Sequence, residues 1–251
     1  MSEPRVARAS GLAVAFAIDL ALAVALALGA FMACGIVWAA THDAGHAANG
    51  TQRAAMPGPL AEVLSMIAAM GSAAAGLLWW RRRPSREEWR ESFIAARRPA
   101  TWGIAMLAAL GVTLLAAALG AVASASGLQL DPSNDAIIRT LLQRHPALLW
   151  GFVAVLAPLY EEVLFRRVVF GRFAQAGFPR AGLAISAALF ACVHELPGAG
   201  EGGLAAGLVL WSVYALMGVA FALVYRRCGT LWAAILAHAA YNAIGLLMLL
   251  R

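Results

Sequence analysis

Seven runs of about twenty apolar residues shape this chain more than any other feature. They lie at 11–38, 60–80, 102–126, 147–170, 182–197, 204–225 and 229–250. A helix rises 1.5 Å per residue, so about twenty residues cross the roughly 30 Å hydrocarbon core of a bilayer. The expectation is an all-α fold, a polytopic transmembrane bundle of about seven spans forming one integral membrane domain over residues 1–251. Composition agrees. The chain is 62% hydrophobic and 13% charged, where a soluble domain is nearer half apolar and a quarter charged. No internal repeat or second domain is visible.

The charges sit between the runs. Every basic residue is Arg, and the net charge is +6. The segment 81–98, the stretch 166–180 and "RRC" at 226–228 are Arg-rich, while 41–59, 126–146 and 197–203 are Arg-poor. Alternation of this kind marks the cytoplasmic side. It predicts a cytoplasmic N-terminus, Arg251 outside, and a lipid rather than a nucleic-acid partner. The run after Arg5 and Arg8 is too long for a signal-peptide core and reads as an uncleaved first span. The all-Arg, Ala-rich composition suits a bacterial inner membrane. Cys34, Cys192 and Cys228 show no paired spacing and read as free thiols. Segment 81–98 reads either as a helix on the membrane surface, anchored by Trp89 and Phe93, or as a solvated loop.

Polar groups at membrane depth narrow the function. "EEVLFR" puts Glu162 and Arg166 four apart on one helical face, where they can pair. Glu161 is turned about 100° away and has no partner on its own helix. "FACVH" aligns Phe190 with His194, and "HAAYN" aligns His238 with Asn242. A Glu, two His and an Asn on three spans converge only in a bundle core, placed here at 147–250. Single polar residues in a span often only glue helices together. A set of four is a functional candidate. Asp19 reads as a helix-pairing or cavity residue, and Glu195 as turned away from His194 toward the outer surface. Cys192 lacks a base at helical spacing, and "THDAGH", with His42 and His46, reads as exposed loop.

In order and in context, the three motifs resemble the EExxxR, FxxxH and HxxxN motifs of the CPBP intramembrane protease family, which includes CAAX prenyl proteases of the Rce1 type. The resemblance covers residues 158–245. It implies peptide-bond hydrolysis, with Glu161 as general base and His194 holding the same water. His238 and Asn242 would stabilise the oxyanion. Glu162 and Arg166 would be a supporting ion pair, Phe190 packing, and Tyr160 and Tyr241 walls of a substrate groove. No cofactor is required on this reading. Zinc held by Glu161, His194 and His238 is the alternative, although no HExxH is present. The implied substrate is a membrane-anchored, prenylated or tagged protein or peptide. Two other functions compete: a transporter or proton channel, and a non-enzymatic immunity or scaffold protein.

Overall fold

A computed structural model describes residues 5–46, 58–200 and 202–250. Among them every regular element is a helix: α1 (Arg5–His46), α2 (Pro59–Trp80), α3 (Arg86–Ala96), α4 (Pro99–Ala125), α5 (Asp135–Arg144), α6 (Pro146–Gln175), α7 (Pro179–His194), α8 (Gly203–Cys228) and α9 (Leu231–Leu249). Four of them begin at proline, whose fixed φ suits the first turn and whose missing N–H costs nothing there. Gly229, at φ 67°, ends α8 in the left-handed conformation and turns the chain into α9.

Six helices are long and apolar enough to cross a membrane: Ala9–Thr41 within α1, then α2, α4, α6, α8 and α9. This is a polytopic integral membrane bundle. Its outer wall carries bare apolar side chains, including Leu107, Val122 and Met32. Such a surface needs lipid around it. Phe190, Phe221 and Leu149 fill the interior.

α6 is central, with α2, α7, α8 and α9 packed around it, and α4 lies behind α8 and α9. α1 and α2 form an antiparallel pair, joined where Ser72 Oγ donates to Leu26 O at 3.2 Å. α7 and α8 approach closely at Gly218, where an added Cβ would lie 2.8 Å from Ala187 Cα. Helix faces meet this tightly only across small residues.

Some expectations are corrected and others are narrowed to one alternative. The fourth run, expected over 147–170, extends to Gln175, which puts Glu161 at mid-helix. The fifth, expected over 182–197, is Pro179–His194. It stops because Glu195 is extended, at φ −149° and ψ 130°. Segment 81–98 contains the helix α3, started by a reciprocal capping box between Ser85 and Glu88. Its Trp89 and Phe93 are stacked, with centroids 5.6 Å apart. "THDAGH" is helical in its backbone to His46, and the side chains of His42 and His46 lie outside the described residues. Asp19 is structural. It is 3% exposed and takes Arg81 at 2.8 Å together with Arg172, tying α1 to α2 and to the end of α6.

Candidate active site

The site is built on α6, which is not a uniform α-helix. Two π-helical segments, Phe152–Leu156 and Val163–Phe170, flank a single α stretch, Ala157–Glu162. Both glutamates stand on that stretch. Each π turn closes i→i+5 and inserts one residue, a feature that recurs at functional sites. Both segments are braced from neighbouring helices. Ser186 Oγ on α7 donates to Phe165 O at 2.8 Å, and Asn242 Nδ2 on α9 donates to Val153 O at 2.8 Å.

Glu162 is the hub of the interior and is fully buried. Its Oε2 lies 2.8 Å from Arg166 Nε, and its Oε1 lies 3.0 Å from His238 Nδ1. Arg166 is also fully buried, with its guanidinium carbon 4.8 Å from the Phe190 ring centroid and 5.9 Å from Phe221. Aromatic faces supply the negative field that a buried cation lacks elsewhere. The His238 ring is stacked on Phe221 at 4.9 Å. These contacts leave its Nε2 facing Glu161.

His194 is oriented differently. Its Nδ1 lies 2.8 Å from Phe190 O, four residues back on α7. A carbonyl only accepts, so Nδ1 carries the proton and the neutral ring presents Nε2 as an acceptor. The ring packs against Phe190 at 4.4 Å and Tyr214 at 4.7 Å.

Glu161 is where these pieces meet. Its Oε2 is 3.5 Å from His194 Nε2 and 3.8 Å from His238 Nε2. That oxygen is buried and accepts no hydrogen bond among the described residues. A buried carboxylate normally collects donors. This one faces two imidazole nitrogens across gaps too long for direct bonds, and a bridging water is the ordinary filler at such spacing. Among the described residues no three His, Cys, Asp or Glu side chains are arranged to hold a metal ion.

Asn242 shares its helix face with His238, but its bonded partner is the Val153 carbonyl, on the side of Glu161 away from Glu162. Tyr160 is buried and lines an apolar cleft of about 590 Å³ between α2, α3, α6 and α9. Tyr241 packs on the core instead. The cleft wall carries Trp89, Trp232 and the ion pair of Arg167 with Glu88, 2.9 Å long. The hydrogen bond donated by Arg167 holds the Glu88 carboxyl below the usual range. Near it, burial and then the charges of Arg172 and Arg167 pull the Arg82 guanidinium below its ordinary value.

Three contributors escaped the sequence reading. Ser186 lies four residues before Phe190 and eight before His194, on the same helical face, and that spacing was a usable signal. Tyr214 had no such signal. Glu195, expected at the outer surface, is buried and accepts the Ser133 N–H at 3.2 Å, while Ser133 Oγ donates to His194 O at 3.0 Å. The loop before α5 is thereby clamped over the end of α7.

Residues 143–244, which carry all of these groups except Ser133, the α2 and α3 side of the cleft and the arginine Arg82, match the family described as "Type II CAAX prenyl endopeptidase Rce1-like". This region resembles the Rce1-like family. The matched region takes in α6, α7, α8 and most of α9, and with them all three polar motifs. A Bacillus subtilis (strain 168) protein named "Putative membrane peptidase YdiL" is 29% identical over 126 residues, 50% of this chain and 46% of that protein. The similarity thus spans about half the length of this curated relative. No solved structure matches the chain.

Proposed function

We propose that this protein is a membrane-embedded endopeptidase in which Glu161 activates water. The observation that carries the reading is the Glu161 Oε2 atom, buried, without a donor, and 3.5 and 3.8 Å from two imidazole nitrogens. Water placed there donates to Glu161 Oε2 and to the acceptor Nε2 of His194. As its oxygen attacks the peptide carbonyl carbon, the proton passes to Glu161. The carbonyl π pair moves onto oxygen. His238 receives that charge through Nε2–H. With Nδ1–H given to Glu162, this donor needs a second proton on the ring. Asn242 keeps one amide hydrogen beyond the one used on Val153. Collapse breaks the C–N bond, and the leaving amine takes the proton from Glu161. Atoms and charge balance without a metal.

The cleft beside Tyr160 suits the apolar flank of a membrane-anchored, prenylated or tagged substrate. The relative's printed name and the Rce1-like region support the protease class. The test is cleavage of membrane-anchored fluorogenic peptides in liposomes by wild type and by Glu161→Gln, with and without a strong chelator. Activity in wild type, none in a folded variant and no chelator effect support the reading. Activity lost to the chelator and restored by zinc would make Glu161, His194 and His238 ligands. Full activity in Glu161→Gln would remove the glutamate from the mechanism.

A further inference from the structure

The Val153 carbonyl has an unusual problem. Within its π segment the Ala157 N–H is drawn to Phe152 O. The next donor along the chain, five residues after Val153, would be residue 158, which is proline. Proline has no N–H. The Val153 carbonyl therefore sits inside a membrane span without a main-chain donor, and an unsatisfied group there costs several kcal/mol. Asn242 Nδ2 donates to it instead, at 2.8 Å.

We propose that Asn242 acts on the site through the backbone: its amide replaces the N–H that Pro158 lacks and holds the wide turn on which Glu161 is presented. This deepens the protease reading, in which the motif asparagine would otherwise be only an oxyanion donor. The geometry explains why the turn matters. One inserted residue rotates everything after it by about 100° relative to a plain α-helix. If the turn relaxed to α, Glu161 would swing off the line toward His194 and His238. Asn242 and His238, one turn apart on α9, thus clamp α6 at two levels, Val153 and Glu162. Ser186 does the same for the second π segment at Phe165. Asn242 is on this account a positioning residue.

Pro158→Ala supplies the missing N–H, so the test is a double-mutant cycle of Asn242→Ala, Pro158→Ala and the pair, read by cleavage kinetics and by the unfolding midpoint. Asn242→Ala should lower kcat at least tenfold with KM little changed, and should lower the midpoint. The pair should return to within about threefold of Pro158→Ala in kcat, and most of the loss in midpoint should be recovered. If Asn242→Ala does not accumulate, recovery of folded protein in the pair is the same readout. A pair as inactive as Asn242→Ala, with additive midpoints, would overturn the proposal and place Asn242 on the reacting carbonyl. Asn242→Ala behaving as wild type would overturn it too. The midpoint cycle needs no substrate. It therefore stands or falls separately from the protease reading, which fails only if wild type cleaves nothing or Glu161→Gln cleaves normally.

Discussion

Glu162→Gln removes the charge that Arg166 and His238 share, the first as an ion pair and the second through a hydrogen bond. The two contacts are 2.8 and 3.0 Å long, and neither Glu162 nor Arg166 is exposed at all. A hydrogen bond to a charged group contributes about 1.5–3 kcal/mol, and removing one partner of a buried ion pair costs about 3–5 kcal/mol. Glutamine keeps one carbonyl acceptor, so the lower end, about 3 kcal/mol, is expected. For a chain of 251 residues that is a fall in unfolding midpoint of roughly 6–12 °C. Glu161→Gln is the matched control. Its Oε2 accepts nothing among the described residues, so the stability change should stay within about 1 kcal/mol while cleavage is lost. The assay is thermal unfolding in detergent followed by tryptophan fluorescence, with activity measured on the same samples. Equal midpoints for the two variants, or a larger loss in Glu161→Gln, would refute the division of the pair into a structural and a reactive carboxylate.

Ser186→Ala should cost about 1–3 kcal/mol in the same unfolding assay, because it leaves the Phe165 carbonyl without its 2.8 Å donor. Gly218→Ala should destabilise by pushing α7 and α8 apart, whereas Gly103→Ala, where nothing lies within 4 Å, should be neutral or stabilising by about 0.5–1 kcal/mol. The Glu88–Arg167 pair should carry a pH signature. Its carboxyl is held low by the Arg167 hydrogen bond, so the pair stabilises α3 fully above the unfolded carboxyl value of about 4.3. That contribution is lost as pH falls through the lower folded value. Hydrogen-exchange protection over 86–96, relative to the intrinsic rate at each pH, should therefore be flat from pH 7 to 5 and fall on further acidification, with Glu88→Gln removing the pH dependence that sets in there.

Much of the bundle was legible because a bilayer imposes a length rule. Apolar runs near twenty residues, four of them opened by Pro59, Pro99, Pro146 and Pro179, located the helices to within a few residues. The 3.6-residue period also read the Glu162–Arg166 pair, since both partners share one helix. It misjudged Glu195, because the helix ended one residue earlier and periodicity no longer applied. It could not see Tyr214, whose contact with His194 crosses between α7 and α8. Nor could it see the π segments. The insertion of one residue per turn leaves no local pattern in "FVAVLAPLYEEVLFRRVVF" beyond Pro158. The sequence alone determined the class, the spans and which polar side chains lie at depth, because burial of apolar length and helical spacing are local properties. Only the tertiary structure decided that Glu161 faces two imidazoles, that Glu162 is shared by Arg166 and His238, and that Asn242 bonds a carbonyl. Apart from Glu162–Arg166, those pairings join residues 33 to 89 positions apart, where the rotation of one helix against another sets every distance.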